Sequence, residues 1–471
     1  MRRTKIVCTI GPASSSPKSL QELIRAGMDV ARLNFSHGSQ AGHLEVIKAL
    51  RKLAPLSGKS VAIIQDLAGP KIRIGRFKSG KIILHSGDNF ILTDKPIVGD
   101  NQAVSVSYPG FSLEVKPGDS LLLADGALEL EVIKTDEHNV RCRVIIGGPL
   151  SSYKGVNLPS RSLKVPSLTE KDKQDLEFGL KQRVDYIALS FIKTAEDILA
   201  AKQLLKERKA SIPLIAKIEK HEALDNIDDI IEVVDGIMIA RGDLGVEIPL
   251  ESIPLVQKSL IRKANLAGKP VITATQMLKS MVDNPRPTRA EVTDVANAIL
   301  DGTDAVMLSE ETAVGKYPVK AVSTMSRIAE DAESGFPFEA WTARLGEIEE
   351  KTLPEAVGCA AVNLADQIKA SAIVSFTQSG STALLVSKYR PRQPIIAATP
   401  SRGTYHRLAL VWGVIPILTK KMDNTDELIK SALAAAQKRG LVKSGEKVVI
   451  TAGVPVGIPG STNLIKAEVI Y

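Results

Sequence analysis

Aromatic residues and cysteines are scarce in this chain, and each scarcity excludes a class of protein. Phenylalanine, tyrosine and tryptophan make up only 4% of the 471 residues, so aliphatic side chains have to fill the interior. The three cysteines, Cys8, Cys142 and Cys359, are far apart and show no paired metal-ligand spacing. We therefore expect neither a disulfide framework nor a zinc site, and we expect a reducing compartment.

The sequence also lacks a long apolar run and a long basic run. No stretch is apolar for the length that a bilayer crossing needs, and Met1 leads directly through Lys5 into a strand-like segment without an export signal. The formal charge of +8 is spread along the chain. These patterns predict a cytoplasmic protein that binds small anionic molecules, with neither a membrane nor a nucleic acid as partner.

Short aliphatic runs recur along the chain, with amphipathic helical patterns such as 19–27 between them. They are nearly continuous rather than alternating, which is typical of parallel strands covered on both faces. Eight such runs predict a closed (β/α)₈ barrel, the TIM barrel, as the fold class. The runs are 5–10, 30–35, 60–66, 186–191, 213–219, 236–241, 270–275 and 305–310.

The spacing of these runs breaks once, between Asp66 and Tyr186. There the pattern changes to alternating strands and tight turns, for example at 82–84, 121–123, 128–133 and 140–146. We interpret 70–166 as an inserted small all-β domain, a β-barrel, which leaves 1–69 and 167–340 to the catalytic barrel. Pro70 and Pro166 are candidate hinge points, and a domain placed over the strand ends is a candidate lid.

A third domain is predicted after the barrel. The hydrophilic stretch from Gly335 to Thr352 is interpreted as a linker. Beyond it, 353–471 alternates aliphatic runs with helices such as 425–439, which predicts a C-terminal doubly wound α/β domain. Its candidate strands are 372–377, 394–399, 413–418 and 447–452.

Polar side chains follow the predicted barrel strands, at the end where barrel enzymes carry their catalytic groups. Glu219 and Asp243 are carboxylates without a Cys/His cluster, and oxygen ligands of this kind suit Mg²⁺ or Mn²⁺. Lys217 lies two residues before Glu219, so strand alternation puts both on one face, where the ammonium can neutralise an anion held by the metal. The pattern predicts a metal-dependent phosphoryl-transfer enzyme.

Two arginines and a glycine support a phosphate-binding site. Arg32 and Arg73 offer planar donors that can grip phosphate with two hydrogen bonds. Gly242 would let the backbone approach an anionic substrate closely. Arg241 leaves two interpretations open, since it can touch substrate or brace the site by pairing with a carboxylate.

At these residues the sequence resembles the pyruvate kinase family over essentially its whole length. The resemblance is specific because several motifs match in order and spacing. They are Cys8-Thr9-Ile10-Gly11-Pro12, Arg32-Leu33-Asn34-Phe35-Ser36-His37-Gly38, Lys217-Ile218-Glu219, Ala240-Arg241-Gly242-Asp243-Leu244-Gly245-Val246-Glu247 and Ala274-Thr275-Gln276-Met277-Leu278.

The resemblance implies a reaction in glycolysis and a role for each matching residue. Phosphoenolpyruvate would pass its phosphoryl group to ADP, giving pyruvate and ATP. Lys217 would stabilise the phosphoryl group in flight, and Glu219 and Asp243 would hold the divalent ion. The remaining implied contacts are Arg32, Thr275 and the backbone of Gly242 and Asp243 for phosphoenolpyruvate, Asn34, His37, Arg73 and Lys154 for the nucleotide, and Thr275 and Ser309 for protonation of the enolate.

One departure from the family pattern concerns a monovalent cation. The presumed K⁺ ligands Asn34, Ser36, Asp66 and the carbonyl of Leu67 are retained, but Lys71 stands where the family usually has a glutamate. A fixed ammonium near that site would supply the positive charge otherwise brought by K⁺. Our hypothesis is that this enzyme needs no K⁺.

The resemblance also implies regulation and assembly. The turn at 377–382 in the third domain offers amides and hydroxyls that could cradle a phosphate, and the corresponding loop of relatives binds a phosphorylated activator. A plain helix N-cap is the alternative interpretation of this turn. The effector residues would be Thr377, Ser379, Gly380, Ser381 and Thr382, and the assembly would be a homotetramer.

Two other functions stay open from the residues alone. A Mg²⁺-dependent lyase or aldolase that works through a pyruvate enolate could use the same carboxylates. A non-catalytic metabolite sensor could keep the fold and bind effectors through its third domain. A nucleotide-clamping lid argues against the lyase, and the intact Lys217, Glu219, Asp243 and Thr275 argue against the sensor.

Overall fold

The structure is a computed structural model that describes residues 2–159, 165–341, 352–422, 424–454 and 460–471. All eight predicted barrel strands are present, all are parallel, and they close into a barrel. Strands and helices are numbered along the whole chain. The barrel strands are β1 (Lys5–Thr9), β2 (Val30–Asn34), β3 (Ala62–Asp66), β12 (Tyr186–Leu189), β13 (Leu214–Ile218), β14 (Gly236–Ala240), β15 (Val271–Ala274) and β16 (Ala305–Leu308).

Helices surround this barrel, and their ends follow capping rules. Thr288, for example, precedes a helix and forms a capping box with Glu291, an arrangement that satisfies free amides at the first turn. The helices are α1 (Pro17–Ala26), α2 (Gln40–Leu56), α4 (Glu170–Gln182), α5 (Ala195–Glu207), α6 (His221–Asp225), α7 (Ile227–Val233), α8 (Arg241–Glu247), α9 (Ile253–Leu266), α10 (Arg289–Leu300), α11 (Glu310–Ala313) and α12 (Pro318–Ser334), with 3₁₀ turns at Leu250–Ser252 and Lys279–Val282.

The interior of the barrel is a packed aliphatic core, as the scarcity of aromatic residues requires. Val7, Ile64 and Met238 belong to this inner cluster, and Ala409 and Leu410 of the third domain join it. Side chains that point outward, such as Ile6, pack against the helices. Residues of the third domain cover one end of the inner cluster. The other end, at the carboxyl ends of the strands, is where a ligand can bind.

The inserted segment between β3 and β12 is confirmed as a sheet domain with its own hydrophobic core. A six-stranded sheet has the order β11-β7-β8-β9-β5-β6, and β10 pairs with β4 in a separate two-stranded sheet. The elements are β4 (Lys81–Leu84), β5 (Asn89–Thr93), β6 (Ala103–Ser105), α3 (Phe111–Glu114), β7 (Ser120–Leu123), β8 (Leu128–Thr135), β9 (Asn139–Ile146), β10 (Gly148–Ser151) and β11 (Val156–Asn157). The sequence predicted β4, β7, β8 and β9 and missed the others.

The third domain is a five-stranded α/β sheet with the order β19-β18-β17-β20-β21, where the last pair is antiparallel. Alternate residues of its first strand face two separate cores, with Ile373 in one and Val374 in the other, as a doubly wound sheet requires. The sequence missed the last strand. The elements are α13 (Leu353–Gln367), β17 (Ala372–Phe376), α14 (Ser381–Lys388), β18 (Ile395–Thr399), α15 (Arg402–Arg407), a 3₁₀ turn (Leu408–Leu410), β19 (Val414–Leu418), α16 (Thr425–Lys438), β20 (Lys447–Gly453) and β21 (Thr462–Val469).

The linker prediction is wrong for its first part. Phe336, Phe338 and Trp341 are buried and pack with Trp412 of the third domain, so this part of the chain belongs to a hydrophobic core. The rest of the predicted linker, 342–351, lies outside the described residues. Among the helices that the structure describes, none is long and apolar enough to span a membrane.

Candidate active site

A buried lysine stands at the centre of the carboxyl ends of the strands. The Lys217 Nζ atom lies 2.7 Å from Oε1 of Glu219 and 3.3 Å from Oδ1 of Asp66, and it donates a hydrogen bond of 2.8 Å to Ser190 Oγ. Burial alone would lower the pKa of Lys217, but the carboxylates of Asp66 and Glu219 outweigh it and raise the pKa to about 12. Lys217 is therefore a fixed cation at neutral pH.

Glu219 is held by two donors and is almost fully buried. Its Oε2 accepts a hydrogen bond of 2.9 Å from the Phe191 amide, and its Oε1 pairs with Lys217. Burial raises the pKa of Glu219, the Lys217 ammonium opposes this, and the charge of Asp243 adds to the increase. The buried Glu219 and the partly exposed Asp243 repel each other, so a cation between them would stabilise both in the ionised form.

Arg32 and Asp66 form the second buried ion pair of the site. Arg32 Nε lies 2.6 Å from Asp66 Oδ2, and Arg32 Nη1 donates to Thr9 Oγ1 at 2.9 Å. Burial would raise the pKa of Asp66, but Arg32 and Lys217 together lower it below its usual range. Asp66 therefore stays ionised and orients both cations, one from β2 and one from β13.

Asp243 lies in the first turn of α8 and faces Lys71, at the start of the inserted domain, the candidate lid, which is called the lid below. Lys71 Nζ lies 3.1 Å from Asp243 Oδ1 and 3.5 Å from Asp125 Oδ1. Burial would lower the pKa of Lys71, but Asp243 and then Asp125 raise it above its usual value. The sequence predicted the Lys71 ammonium near the K⁺ ligands. The structure places it against Asp243, a predicted ligand of the divalent metal.

The turn after β15 adopts a conformation that is uncommon for its residues. Thr275 has a φ of 69° and Gln276 a φ of 57°, a region that a β-branched residue rarely adopts. This turn brings Thr275 Oγ1 within 2.7 Å of the Gly242 amide, which donates to it. Arg241 pairs with Asp294 at 2.8 Å and donates to the Thr275 carbonyl at 2.9 Å. These contacts favour the interpretation of Arg241 as a brace.

Ser309 follows β16 with an unused hydroxyl group. Its Oγ is buried and makes no hydrogen bond to the described residues, whereas its amide donates to Glu311 Oε2 at 2.7 Å. A buried polar atom without a partner is uncommon in native proteins and often marks a functional position.

The residues predicted to contact the nucleotide fall into two groups. Arg73 and Lys154 are close together in the lid, since Arg73 pairs with Gly155 and the Ile74 amide donates to the Lys154 carbonyl at 2.9 Å. Asn34 is the last residue of β2, and His37 lies exposed in the loop that follows it. The lid and the barrel thus each carry one group.

The predicted K⁺ ligands gather at the ends of β2 and β3. Asn34 is the register partner of Asp66, and its Oδ1 accepts a hydrogen bond of 3.1 Å from the amide of the exposed Ser36. The Leu67 carbonyl accepts a hydrogen bond of 2.7 Å from the Ser190 hydroxyl. In the described part of the chain, Lys71 makes no hydrogen bond or ion pair to these four residues.

Sequence reasoning missed a second cluster next to the site. Glu247, at the end of α8, is buried and accepts hydrogen bonds from Lys220 Nζ at 2.8 Å and Asn157 Nδ2 at 2.9 Å. His221 and Glu222 lie beside it, so that one ligand atom from each of His221, Glu222 and Glu247 falls within 4.8 Å of the others. Lys220 and His221 directly follow the matched motif, but their partner Asn157 is distant in sequence.

The predicted effector turn joins β17 to α14. Gly380 caps the helix with a φ of 105° and donates to Thr377 Oγ1 at 2.8 Å. Ser379 Oγ donates to Ser381 Oγ at 3.1 Å, and Thr382 Oγ1 lies 2.9 Å from Thr462 Oγ1. The described hydroxyls of this turn therefore bond to one another, to the Gly380 amide or to β21.

The fold and the site together define an enzyme of the (β/α)₈-barrel class, with a lysine and carboxylate centre suited to charged phosphate substrates. The family model for the pyruvate kinase barrel domain matches residues 1–322, and the model for the pyruvate kinase alpha/beta domain matches residues 355–467. The chain belongs to the pyruvate kinase family.

Individual relatives agree over the full length. A pyruvate kinase of Clostridium acetobutylicum is 47% identical over 472 residues, covering 100% of both chains. A pyruvate kinase of Staphylococcus epidermidis is 48% identical, covering 100% of this chain and 81% of the relative. A crystal structure of a pyruvate kinase from Cryptosporidium parvum superimposes with a TM-score of 0.94 at 39% identity, covering 100% of this chain and 96% of that one.

Membership of this family fixes the class of activity. The chain is a kinase, a phosphotransferase of glycolysis, and the lyase and sensor alternatives are not favoured. The family generally uses a divalent metal ion. The oxygen donors of Glu219 and Asp243 suit such an ion, because hard divalent cations prefer carboxylate ligands.

Proposed function

We propose that the chain transfers the phosphoryl group of phosphoenolpyruvate to ADP, giving pyruvate and ATP, at the carboxyl ends of its barrel strands. The observation that carries this proposal is the placement of Lys217 between two carboxylates. Its ammonium is buried, stays charged and is fixed by three oxygen atoms. A positioned cation of this kind stabilises the charge of a phosphoryl group in transit without any covalent step.

The substrate would lie between the ends of β2, β13 and β15. Arg32 offers a guanidinium whose Nε is anchored by Asp66, so its orientation is set before the anion arrives. The Gly242 amide donates to the Thr275 hydroxyl at 2.7 Å; a substrate carboxylate could accept from this amide in its place, and the hydroxyl can rotate towards the same carboxylate. These groups would bind phosphoenolpyruvate next to Lys217.

Glu219 and Asp243 would hold Mg²⁺ or Mn²⁺. The bound ion would neutralise charge on the phosphoryl oxygens. Burial that raises the pKa of Glu219 supports this assignment, because a cation restores the ionised form that burial opposes. In the ion's presence, Lys217 and Lys71 would each keep one of the two carboxylates in position.

A proton has to reach the enolate that remains after transfer. Ser309 offers a buried hydroxyl without a partner in the described chain, and Thr275 offers a second hydroxyl on the neighbouring strand end. We assign both to the path that delivers this proton through water. Arg73 and Lys154 of the lid, with Asn34 and His37 of the barrel, would contact the phosphates of ADP.

A coupled assay tests the proposed reaction. We expect pyruvate to form from phosphoenolpyruvate only when ADP and Mg²⁺ are both supplied, with ATP formed in equal amount. The measurement follows pyruvate and ATP in parallel. Pyruvate release without ADP would contradict a kinase, because the phosphoryl group would then have passed to water, and binding of phosphoenolpyruvate without any turnover would support the sensor.

We further propose that Lys71 replaces K⁺ as the monovalent charge of the site. Its ammonium is held between Asp243 and Asp125, and these carboxylates raise its pKa. The Lys71 charge lies only a few ångströms from the predicted metal ligand Asp243. Screening between them is weak because the place is partly desolvated.

The prediction for K⁺ concerns both the wild type and Lys71→Glu. In tetramethylammonium buffer, we expect wild-type turnover to change less than about twofold when KCl is added. Lys71→Glu puts a carboxylate beside Asp243, so turnover without KCl should fall about tenfold or more, the scale of one lost partly buried charge contact, and KCl should restore it. Lys78→Glu, an exposed lid lysine with the same change of charge, is the control. Strong activation of the wild type by KCl would contradict the proposal.

The turn at 377–382 is our candidate for binding a phosphorylated activator. It follows β17, and the sheet order reverses between β17 and β20. Ligands of open α/β sheets bind in the crevice at such a switch point. Backbone amides at the start of a helix suit a phosphate, and those at the start of α14 border this turn.

We also propose a cytoplasmic homotetramer as the working assembly, in which no nucleic acid or membrane takes part. Glycolytic substrates are small anions, and the spread of positive charge along the chain suits them. In such an assembly, subunit contacts would carry the effect of the activator to the barrel.

A further inference from the structure

The lid contacts the barrel through the same short helix that carries Asp243. Asn157, on the strand by which the lid returns to the barrel, donates a hydrogen bond of 2.9 Å to Glu247 Oε1. Glu247 is the last residue of α8, and Asp243 lies one turn before it. This contact joins the lid directly to the loop that would hold the metal.

Glu247 is buried and surrounded by donors. Its side chain is 0% exposed. Lys220 Nζ lies 2.8 Å from Oε1, and His221 Nδ1 lies 3.3 Å from Oε2. A buried carboxylate needs such partners, and removal of one of them leaves the charge poorly compensated. Because Lys220 already neutralises Glu247, we interpret the cluster with His221 as a structural junction.

Two further contacts bring the lid onto α8. The turn around Gly126 in the lid packs near Val246, because a Cβ at Gly126 would lie 3.8 Å from the Val246 side chain. Lys71, at the start of the lid segment, joins Asp125 of the lid tip to Asp243. Three separate parts of the lid segment therefore meet one helix of seven residues.

We propose that Glu247 is a positioning residue that seats the lid on α8 through Asn157, and thereby sets the affinity for the nucleotide. Lys154, a candidate nucleotide contact, lies three residues before Asn157 on the same returning segment. Arg73 pairs with Gly155 between them. Loss of the bond between Asn157 and Glu247 loosens the lid side of the nucleotide site. Phosphoenolpyruvate binds on the barrel side, so its binding does not change.

Asn157→Ala tests this inference because it removes the donor on the lid and leaves Glu247 with Lys220. We expect the KM for ADP to rise about tenfold, the scale of one hydrogen bond to a charged group. The KM for phosphoenolpyruvate should change less than about twofold in the same variant. Asn101→Ala removes an exposed asparagine elsewhere in the lid, and both KM values should stay at the wild-type level.

A double-mutant cycle separates positioning from general destabilisation. Glu247→Gln keeps the shape of the side chain and removes its charge, and it should raise the KM for ADP as well. In the Glu247→Gln background, Asn157→Ala should raise the KM for ADP by a smaller factor than in the wild type. On a logarithmic scale the rise should be less than half as large, because the bond is already weakened. Full additivity, or an equal rise in the KM for both substrates, would overturn the inference. If Glu247→Gln fails to fold, the split between the two KM values in Asn157→Ala still decides.

This inference rests on the proposed reaction, and the two can fail separately. A wild type without turnover of phosphoenolpyruvate and ADP removes the proposed function. An active wild type whose Asn157→Ala variant keeps its KM for ADP removes only the role of Glu247.

Discussion

Lys217→Met is expected to lower kcat about 10³- to 10⁵-fold, the range over which one positioned cation accelerates phosphoryl transfer. Methionine has a similar length and no charge, so it removes the ammonium that lies 2.7 Å from Glu219. Phosphoenolpyruvate should still bind, because Arg32, Thr275 and the backbone of Gly242 remain. The measurement pairs single-turnover kinetics with calorimetric titration of phosphoenolpyruvate in the presence of Mg²⁺.

The control for this variant is Lys269→Met. Lys269 is a half-buried lysine just before β15, at the opposite end of the barrel, where it donates to the Val234 carbonyl. The same change there should leave kcat close to the wild-type value. Turnover of Lys217→Met within tenfold of the wild type, with the protein folded, would remove Lys217 from the reaction. Because the neighbouring carboxylates raise the pKa of Lys217 to about 12, a loss of activity near pH 9 has to come from another group.

Glu219→Gln should have the second largest effect. The amide keeps the shape and the hydrogen bond from Phe191, but it removes one of the two negative charges assigned to the metal. We expect kcat/KM to fall about 10²- to 10³-fold, the cost of one lost electrostatic contact in a preorganised site. The concentration of Mg²⁺ needed for half activation should rise about tenfold or more, as for disturbed metal sites in general.

Glu222→Gln is the matched control because Glu222 lies three residues further along and belongs to the other cluster of potential ligands. Its half-activating Mg²⁺ concentration should equal that of the wild type. If Glu222→Gln weakened activation by Mg²⁺ and Glu219→Gln did not, the metal would belong to His221, Glu222 and Glu247.

The barrel and its polar strand ends were predictable because both follow from local pattern. Buried parallel strands need continuous aliphatic runs, and β13 shows how closely the pattern matches the strand, since 213–219 was predicted and Leu214–Ile218 was found. Lys217 and Glu219 are two residues apart, so the alternation of a strand puts both side chains on one face. In the structure the Lys217 Nζ atom lies 2.7 Å from Glu219 Oε1.

Pairings between distant segments were not predictable. Lys71 meets Asp243 across 172 residues, and Asn157 meets Glu247 across 90, distances over which no local pattern operates. The left-handed conformation of Thr275 was also hidden, because threonine seldom adopts it and the surrounding turn imposes it.

Short edge strands were missed for a related reason. β11 has only two residues, and the pairing that defines it, with β7, is set by tertiary contacts. β21 pairs antiparallel with β20 and carries a mixed burial pattern, so its residues lack the continuous aliphatic run of the parallel strands. The aromatic junction of Phe336, Trp341 and Trp412 was missed because its first residues lie in a hydrophilic stretch.

Anomalous diffraction from crystals grown with Mn²⁺ and phosphoenolpyruvate tests the metal and lysine centre most directly. We predict one strong peak, about 2.1 Å from carboxylate oxygens of Glu219 and Asp243, with the Lys217 ammonium directed at the phosphoryl group. A peak held by His221, Glu222 and Glu247, with none at Glu219 and Asp243, would contradict the account.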